Sequence, residues 1–246
     1  MGKRIISQHR GHGGPRYKAP SFNYLGRVTH RSYDVKEKKE SMQGKVVDIV
    51  NSVGHSAPLA MIEYEDGERT YGIANDGLYV GQVITSGSKS EVKKGNTLPL
   101  KNIPEGTNIC NIEGNPGDLG RFVKSAGSFA RVDSKLKNKI LIRMPSRKNK
   151  SFHPECRATI GVVANAGRTE KPILKAGKMH HMMKGKNKLY PKTSAGAMNA
   201  TDHPFGSGRG GPTFGGKQSS IAPRNAPPGR KVGMLRPKKT GRGGKK

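Results

Sequence analysis

Acidic residues stop well short of both ends of this 246-residue chain: none precedes Asp34 and none follows Asp202. Lys3, Arg4, Arg10, Arg16, Lys18, Arg27 and Arg31 stand unopposed at one end, and eleven Lys or Arg stand unopposed across residues 203–246 at the other. Such segments repel themselves and lack the apolar surface that offsets the entropy of ordering a chain, so folding is confined to what lies between them. Residues 41–103 are near neutral, with Asp48, Glu63, Glu65, Asp66, Glu68, Asp76 and Glu91 set against Lys45, Arg69, Lys89, Lys93, Lys94 and Lys101. Within a chain of formal charge +29, a neutral stretch marks a folding module. Only 32% of the residues are hydrophobic and none is Trp, which suits two small cores better than one large one.

Strand patterning places both cores. In the first module short apolar runs at 45–50, 59–65, 68–74 and 78–84 are separated by turn residues, with Asp66-Gly67 as a hairpin turn, and this spacing predicts a small antiparallel barrel. Pro99 and Pro104 would interrupt a strand ladder and are read as the boundary between modules. The second module has strand-like runs at 108–112, 121–124, 129–132, 139–144 and 157–163, with turns at Asn115-Pro-Gly-Asp118 and Pro145-Ser146. The expected organisation is a basic extension at 1–36, a barrel at 37–103, a second barrel at 104–178 and a Gly/Pro-rich basic extension at 179–246, with the barrels folding alone and the ends ordered by a partner.

The charge excess calls for a polyanion held by counterion release, and nucleic acid is the polyanion it fits. No apolar run approaches a membrane span and no basic stretch has an apolar helical face, so a membrane is not expected. The start, Met1-Gly-Lys-Arg-Ile-Ile, lacks the apolar region of a secretion signal and has Ile6 where myristoylation requires Ser or Thr; with two cysteines only, Cys110 and Cys156, an intracellular location is expected.

The candidate nucleic-acid contacts follow the charge. In the first extension they are Arg4, Arg10, Arg16 and Tyr17, amid Gly, Pro, His9, His12, Phe22 and Tyr24, a mixture suited to phosphate contact and base stacking. The second barrel is basic and offers Arg121, Lys124 and Arg143 to phosphate. Beyond it lie Lys175, Lys178, His180, Lys184 and Lys186, and in the tail Arg224, Arg230, Lys231 and Arg236. Between them Asp202, His203, Phe205 and Arg209 occupy a glycine-rich loop that can approach another molecule closely.

Several enzyme-like patterns fail on context. Gly206, Gly208 and Gly211 satisfy Gly-x-Gly-x-x-Gly, and residues 211–217 approach a phosphate-binding loop, but neither lies between a strand and a helix, and Gln218 stands where that loop needs Ser or Thr. His153-x-x-Cys156 has a ligand-like gap without the second close pair that zinc sites show; Cys110 and Cys156 are read instead as apolar thiols of the second barrel. Adjacent Thr201, Asp202 and His203 cannot form a hydroxyl–imidazole–carboxylate relay from consecutive positions. No cofactor, metal or catalytic residue is expected.

Four segments together carry a family resemblance: Ala195-Gly-Ala-Met-Asn-Ala-Thr-Asp-His-Pro-Phe-Gly206, Pro99-Leu-Lys-Asn-Ile-Pro-Glu-Gly106, Cys156-Arg-Ala-Thr-Ile-Gly161 and Ser220-Ile-Ala-Pro-Arg-Asn-Ala-Pro-Pro-Gly-Arg-Lys-Val-Gly233. The chain resembles the universal large-subunit ribosomal protein L-two family nearly end to end, and Phe205 with Pro223-Arg-Asn-Ala-Pro-Pro-Gly229 places the likeness in the archaeal and eukaryotic branch. Thr201 stands where Val is usual in the family, and Ser207 interrupts the usual glycine run. The resemblance implies an all-β chain, an OB-like barrel followed by an SH3-like barrel, with long irregular basic extensions threading large-subunit ribosomal RNA. It implies a cytoplasmic, ribosomal protein present in one copy per large subunit, beside other ribosomal proteins and near transfer RNA, serving subunit association, transfer-RNA binding and the peptidyl transferase centre. Two other readings stay open: His203 as acid or base in peptide-bond formation, and a free RNA chaperone.

Overall fold

The computed structural model describes residues 2–207, 222, 225–232 and 235. The chain divides into two compact units, one of Pro20–Leu174 and one of Met1–Ala19 with Lys175–Lys246. The first unit is built from ten strands: β1 (Ser41–Val50), β2 (Leu59–Tyr64), β3 (Arg69–Ile73), β4 (Val83–Gly87), β5 (Thr97–Pro99), β6 (Asn108–Cys110), β7 (Ala130–Leu136), β8 (Lys139–Arg143), β9 (Asn149–Phe152) and β10 (Arg157–Ile160). Alternation sets their faces: Met42, Gly44 and Val46 point inward from β1, and a bulge between Val46 and Asp48 then shifts its register against β2. Asp66-Gly67 reverses β2 into β3, with Gly67 at φ 80, which a side chain would strain.

The strands hydrogen-bond in the order β3-β2-β1-β4-β5-β10-β6-β7-β8-β9, antiparallel except for the single parallel pair Ser86–Thr97 that joins β4 to β5. The fold is all-β, an OB-like half formed by the first four strands and an SH3-like half formed by the last six. Met42, Val46, Ala60, Ile62, Tyr64, Ala74 and Ile84 fill the first half. Leu98, Leu100, Ile109, Val132, Ile142, Phe152 and Ala158 are among the residues filling the second. A third cluster, Val28, Ala57, Leu59, Ile73, Cys110 and Val163, joins strands of both halves to the segment before β1. Cys110 therefore sits in the seam, its thiol donating to Asn75 Oδ1 at 3.1 Å, while Cys156 lies in the core of the second half. Burial pushes both thiols up, to about 12 and about 11, so neither ionises near neutrality.

Several local expectations change. Pro99 ends β5 and pairs with Arg157, so this proline closes a strand of the second half instead of excluding one; its missing N–H falls where the ladder stops. Residues 121–124 form no strand, only the bridge Ile112–Phe122, because Leu119 and Val123 adopt φ 60 and 58 and break the extended run. Residues 78–82 are a turn held to β1 by Gly81 N–H to Val46 O at 2.8 Å and Val46 N–H to Gln82 O at 2.9 Å.

The largest difference concerns the start of the folded body. Arg31, which the run of charge leaves unopposed, has a side chain only 2% exposed, and residues 20–33 lie along both halves as a strap. Thr29 N–H donates to Tyr71 O and His30 N–H to Leu119 O, each at 3.0 Å, and Val28 is buried. Arg31 pairs with Asp34 at 2.7 Å, Glu37 at 3.5 Å, Glu68 at 3.6 Å and also Asp66. Behind it Arg157, 1% exposed, reaches Glu113 at 2.9 Å and Glu37 at 3.1 Å, both carboxylates fully buried, and donates to Arg31 O at 2.8 Å. Asp34 accepts from Glu37 N–H at 2.8 Å and caps the short helix Val35–Lys39 that delivers Glu37 to this network.

His30 makes the strap acid-sensitive. Its Nε2–H donates to Asn111 O at 2.6 Å, and burial, with the Arg157 charge second, lowers its pKa from 6.5 to about 4. The unfolded chain takes this proton near pH 6.5 and the folded chain only near 4, so stability falls as pH drops through that window, by about 3 kcal/mol in full. The Arg31 hydrogen bond holds Asp34 down at about 2, so this carboxylate adds further loss below its ordinary 3.8. Urea unfolding at pH 7 and 4.5 should show most of the His30 loss in the parent and little of it in His30→Gln. An equal pH dependence in both would contradict it.

Candidate nucleic-acid interface

The unit formed by the two chain ends carries 22 of the 46 Lys and Arg but one of the 17 Asp and Glu, which leaves +21 of the formal +29 there. It is not wholly irregular. Ile6–Gly11 and Ala176–Lys184 are helices, and in the second of these Met179 and Met183, one turn apart, form the half-buried side while Lys178, His180, His181 and Lys184 are exposed. Lys184 in the last turn opposes the negative end of the helix dipole.

Predicted residues converge at one place here: Arg16, His180 and Lys184 line a hollow of about 250 Å³ with Lys188, Asn187 and Tyr190. Asn187 holds the two segments together by donating to Lys18 O at 2.9 Å. Arg4 is engaged with His12 Nε2, and Tyr17 is half-buried. Arg10, Lys175, Lys178, Lys186, Arg230 and Lys231 are solvent-facing or nearly so, with no acidic partner among the described residues. Arg209, Arg224 and Arg236 lie outside the described residues.

Asp202, His203 and Phe205 sit in a loop that is closed on itself. Asp202 N–H donates to Asn199 O at 3.0 Å, Gly206 N–H to His203 O at 2.9 Å, and Ser207 N–H to Met198 O at 3.0 Å. A Cβ on Gly206 would fall 2.2 Å from Asn199 O, so only glycine lets the ends of the loop approach. Ser207 stands at φ 54, where glycine is favoured, and its hydroxyl accepts Ala200 N–H at 3.1 Å, a bond glycine could not make. Thr201 takes part through its carbonyl, which accepts Lys3 N–H at 2.9 Å, so this hydrogen bond does not depend on its side chain. Lys3 Nζ lies 3.6 Å from Asp202, an exposed pair that adds little stability. His203 Nδ1 accepts Phe205 N–H at 3.0 Å and the two rings meet at 4.9 Å, which leaves Nε2–H as a donor.

On the β unit, Arg121 is 71% exposed with Asp118 at 3.9 Å, and Arg143 is exposed at the end of β8. Lys150, one of the basic residues that make the second barrel cationic, lies on β9 and stands 3.9 Å over the Phe122 ring. Lys124 has a different task from the one expected: its ammonium donates to Gly120 O at 2.8 Å and Val28 O at 3.4 Å, tying down the strap, and burial lowers its pKa. Among the described residues no group of three or more His, Cys, Asp or Glu could hold a metal ion, and no helix is long and apolar enough to cross a membrane.

The sequence matches two halves of one family, "Ribosomal Proteins L2, RNA binding N-terminal domain" over residues 3–86 and "Ribosomal Proteins L2, C-terminal domain" over residues 93–227. A relative from Methanopyrus kandleri, named large ribosomal subunit protein uL2, is 47% identical over 246 residues and covers 100% of both chains. One of the same name from Archaeoglobus fulgidus is 48% identical over 241 residues, 98% of this chain and 99% of its own. With both halves of the family present in order and archaeal relatives matched over their full length, this chain belongs to the ribosomal protein L2 family.

Proposed function

We propose that this protein is a structural, RNA-binding constituent of the large ribosomal subunit, held by ribosomal RNA and neighbouring ribosomal proteins in one copy per cytoplasmic ribosome. The observation that carries this reading is the segregation of charge: acids of the β unit are drawn into pairs around Arg31, while the unit built from the chain ends holds +21 with a single carboxylate. Such a surface is assembled against phosphate. The barrels anchor the protein, and the basic ends support subunit association, transfer-RNA binding and the shape of the peptidyl transferase centre. A free RNA chaperone would not sediment in stoichiometric amounts with large subunits after a salt wash, whereas this protein does so under the present reading.

Peptide-bond chemistry belongs to the RNA. His203 favours this over an acid–base role because its Nδ1 is occupied by Phe205 N–H, so the neutral ring offers a donor and no free base. In assembled His203→Gln ribosomes the single-turnover rate of peptide-bond formation should stay within about threefold of the parent, with any loss in assembly or subunit association. A general acid or base would lose about 10²- to 10⁴-fold in the chemical step and one limb of the pH profile, and that outcome would make this an enzyme component.

A further inference from the structure

The unit formed by the chain ends contains a second and larger concavity, of about 420 Å³, which the charge argument does not explain. Much of its lining is apolar: Ile5 and Ile6 from the first segment with Met183, Leu189 and Met198 from the second. Arg10, Lys188 and Lys192 line the same space, and His203 borders it. A site that only neutralised phosphate would not need an apolar lining, and a protein partner with an apolar plug would face three cations. Flat aromatic surface joined to negative charge is the chemistry of an unpaired nucleotide, whose base seeks an apolar slot while its phosphates remain outside.

We propose that this cavity receives one unpaired nucleotide of the large-subunit RNA, base inward against Ile5, Ile6, Met183, Leu189 and Met198, phosphates on Arg10, Lys188 and Lys192. The volume lies within the range of small-ligand sites. His203, with Nδ1 already accepting from Phe205, presents Nε2–H, which suits an acceptor on the base such as a carbonyl oxygen or an unprotonated ring nitrogen. The closed loop of residues 198–207 thereby gains a role distinct from catalysis, fixing a donor at the edge of a base pocket. This inference rests on the ribosomal reading of the protein and names what one part of the unit binds.

The test uses the full chain assembled into large subunits, with a photoreactive benzoyl-phenylalanine at Thr193, which lines the cavity, and a parallel Ala195→Phe variant that narrows it. The expected result is a crosslink to a single nucleotide that is unpaired and whose base loses reactivity to base-modifying reagents when the protein binds. In Ala195→Phe that one base should become at least about fivefold more reactive than in the parent subunit, while the hydroxyl-radical footprint of the surrounding backbone is unchanged. A crosslink to a protein, to paired nucleotides or to many scattered sites overturns the pocket assignment and leaves the ribosomal role standing. Unchanged protection of the base in a correctly assembled Ala195→Phe subunit also overturns it. Failure of the parent protein to enter large subunits at all would instead overturn the ribosomal reading, and the pocket with it.

Discussion

Replacing Arg157 with Met is expected to destabilise the protein by about 3–5 kcal/mol, the range found when one member of a buried ion pair is removed. The guanidinium is 1% exposed and supplies Glu113 with two hydrogen bonds and Glu37 with one, while both carboxylates have no exposure to water. Glu37 keeps Arg31 and Ser86 after the substitution, but Glu113 keeps only backbone N–H donors from Gly117, Leu119 and residue 157 itself. The cost is therefore chiefly that of a stranded Glu113 charge. Pairing the change with Glu113→Leu should recover a substantial part of the loss, since removing both charges avoids leaving one behind. Urea unfolding of the four proteins of this cycle provides the measurement. A single-variant loss below about 1 kcal/mol, within the usual range for exposed pairs, would show that the network is not desolvated as described.

Affinity for ribosomal RNA should fall about 10³-fold or more as salt rises from roughly 50 to 200 mM, if about six to ten phosphates are neutralised. The cluster Arg16, Lys184 and Lys188 refines this expectation, because these cations share one hollow whose described lining holds no carboxylate. Changing all three to Gln should lower the slope of log affinity against log salt by about 3, roughly one for each phosphate left without its cation. Lys124→Gln should leave the slope nearly unchanged and weaken folding instead, since its ammonium is committed to backbone carbonyls. Filter binding across a salt series distinguishes these outcomes. A shallow parent slope, or one lowered as much by Lys124→Gln as by one of the cluster changes, would count against the assignment of phosphate-binding cations.

The strands were legible because each carries its own signal in the alternation of apolar residues and in turns such as Asp66-Gly67. Weakly patterned β5 and β9 were not, since Asn149–Phe152 buries only Phe152 and reads as basic loop. Charge along the chain gave no sign of the burial of Arg31 and Arg157 for a different reason. Their carboxylate partners lie up to 120 positions away, and a count along the chain treats every Arg as solvated. Asp34-x-x-Glu37 was a visible helix-capping pattern that pointed to order before residue 37. The helix Ala176–Lys184 had a signal too, in the one-turn spacing of Met179 and Met183. The closed His203 loop had almost none: its closure is made by backbone groups and by the closeness of Gly206 to Asn199, neither of which composition records.

The 120-residue separation between Glu37 and Arg157 also sets a clock on biosynthesis. A nascent chain grows at about 5–20 residues per second, so Glu37 and its capped helix emerge roughly 6–24 s, and the last strand of the OB-like half roughly 4–14 s, before the guanidinium of Arg157. Until then closing the strap would bury Glu37 with only Arg31 and Ser86 beside it. The buried network is therefore complete only when the last strand of the sheet has been made, and its completion reports that synthesis has reached the end of the second half.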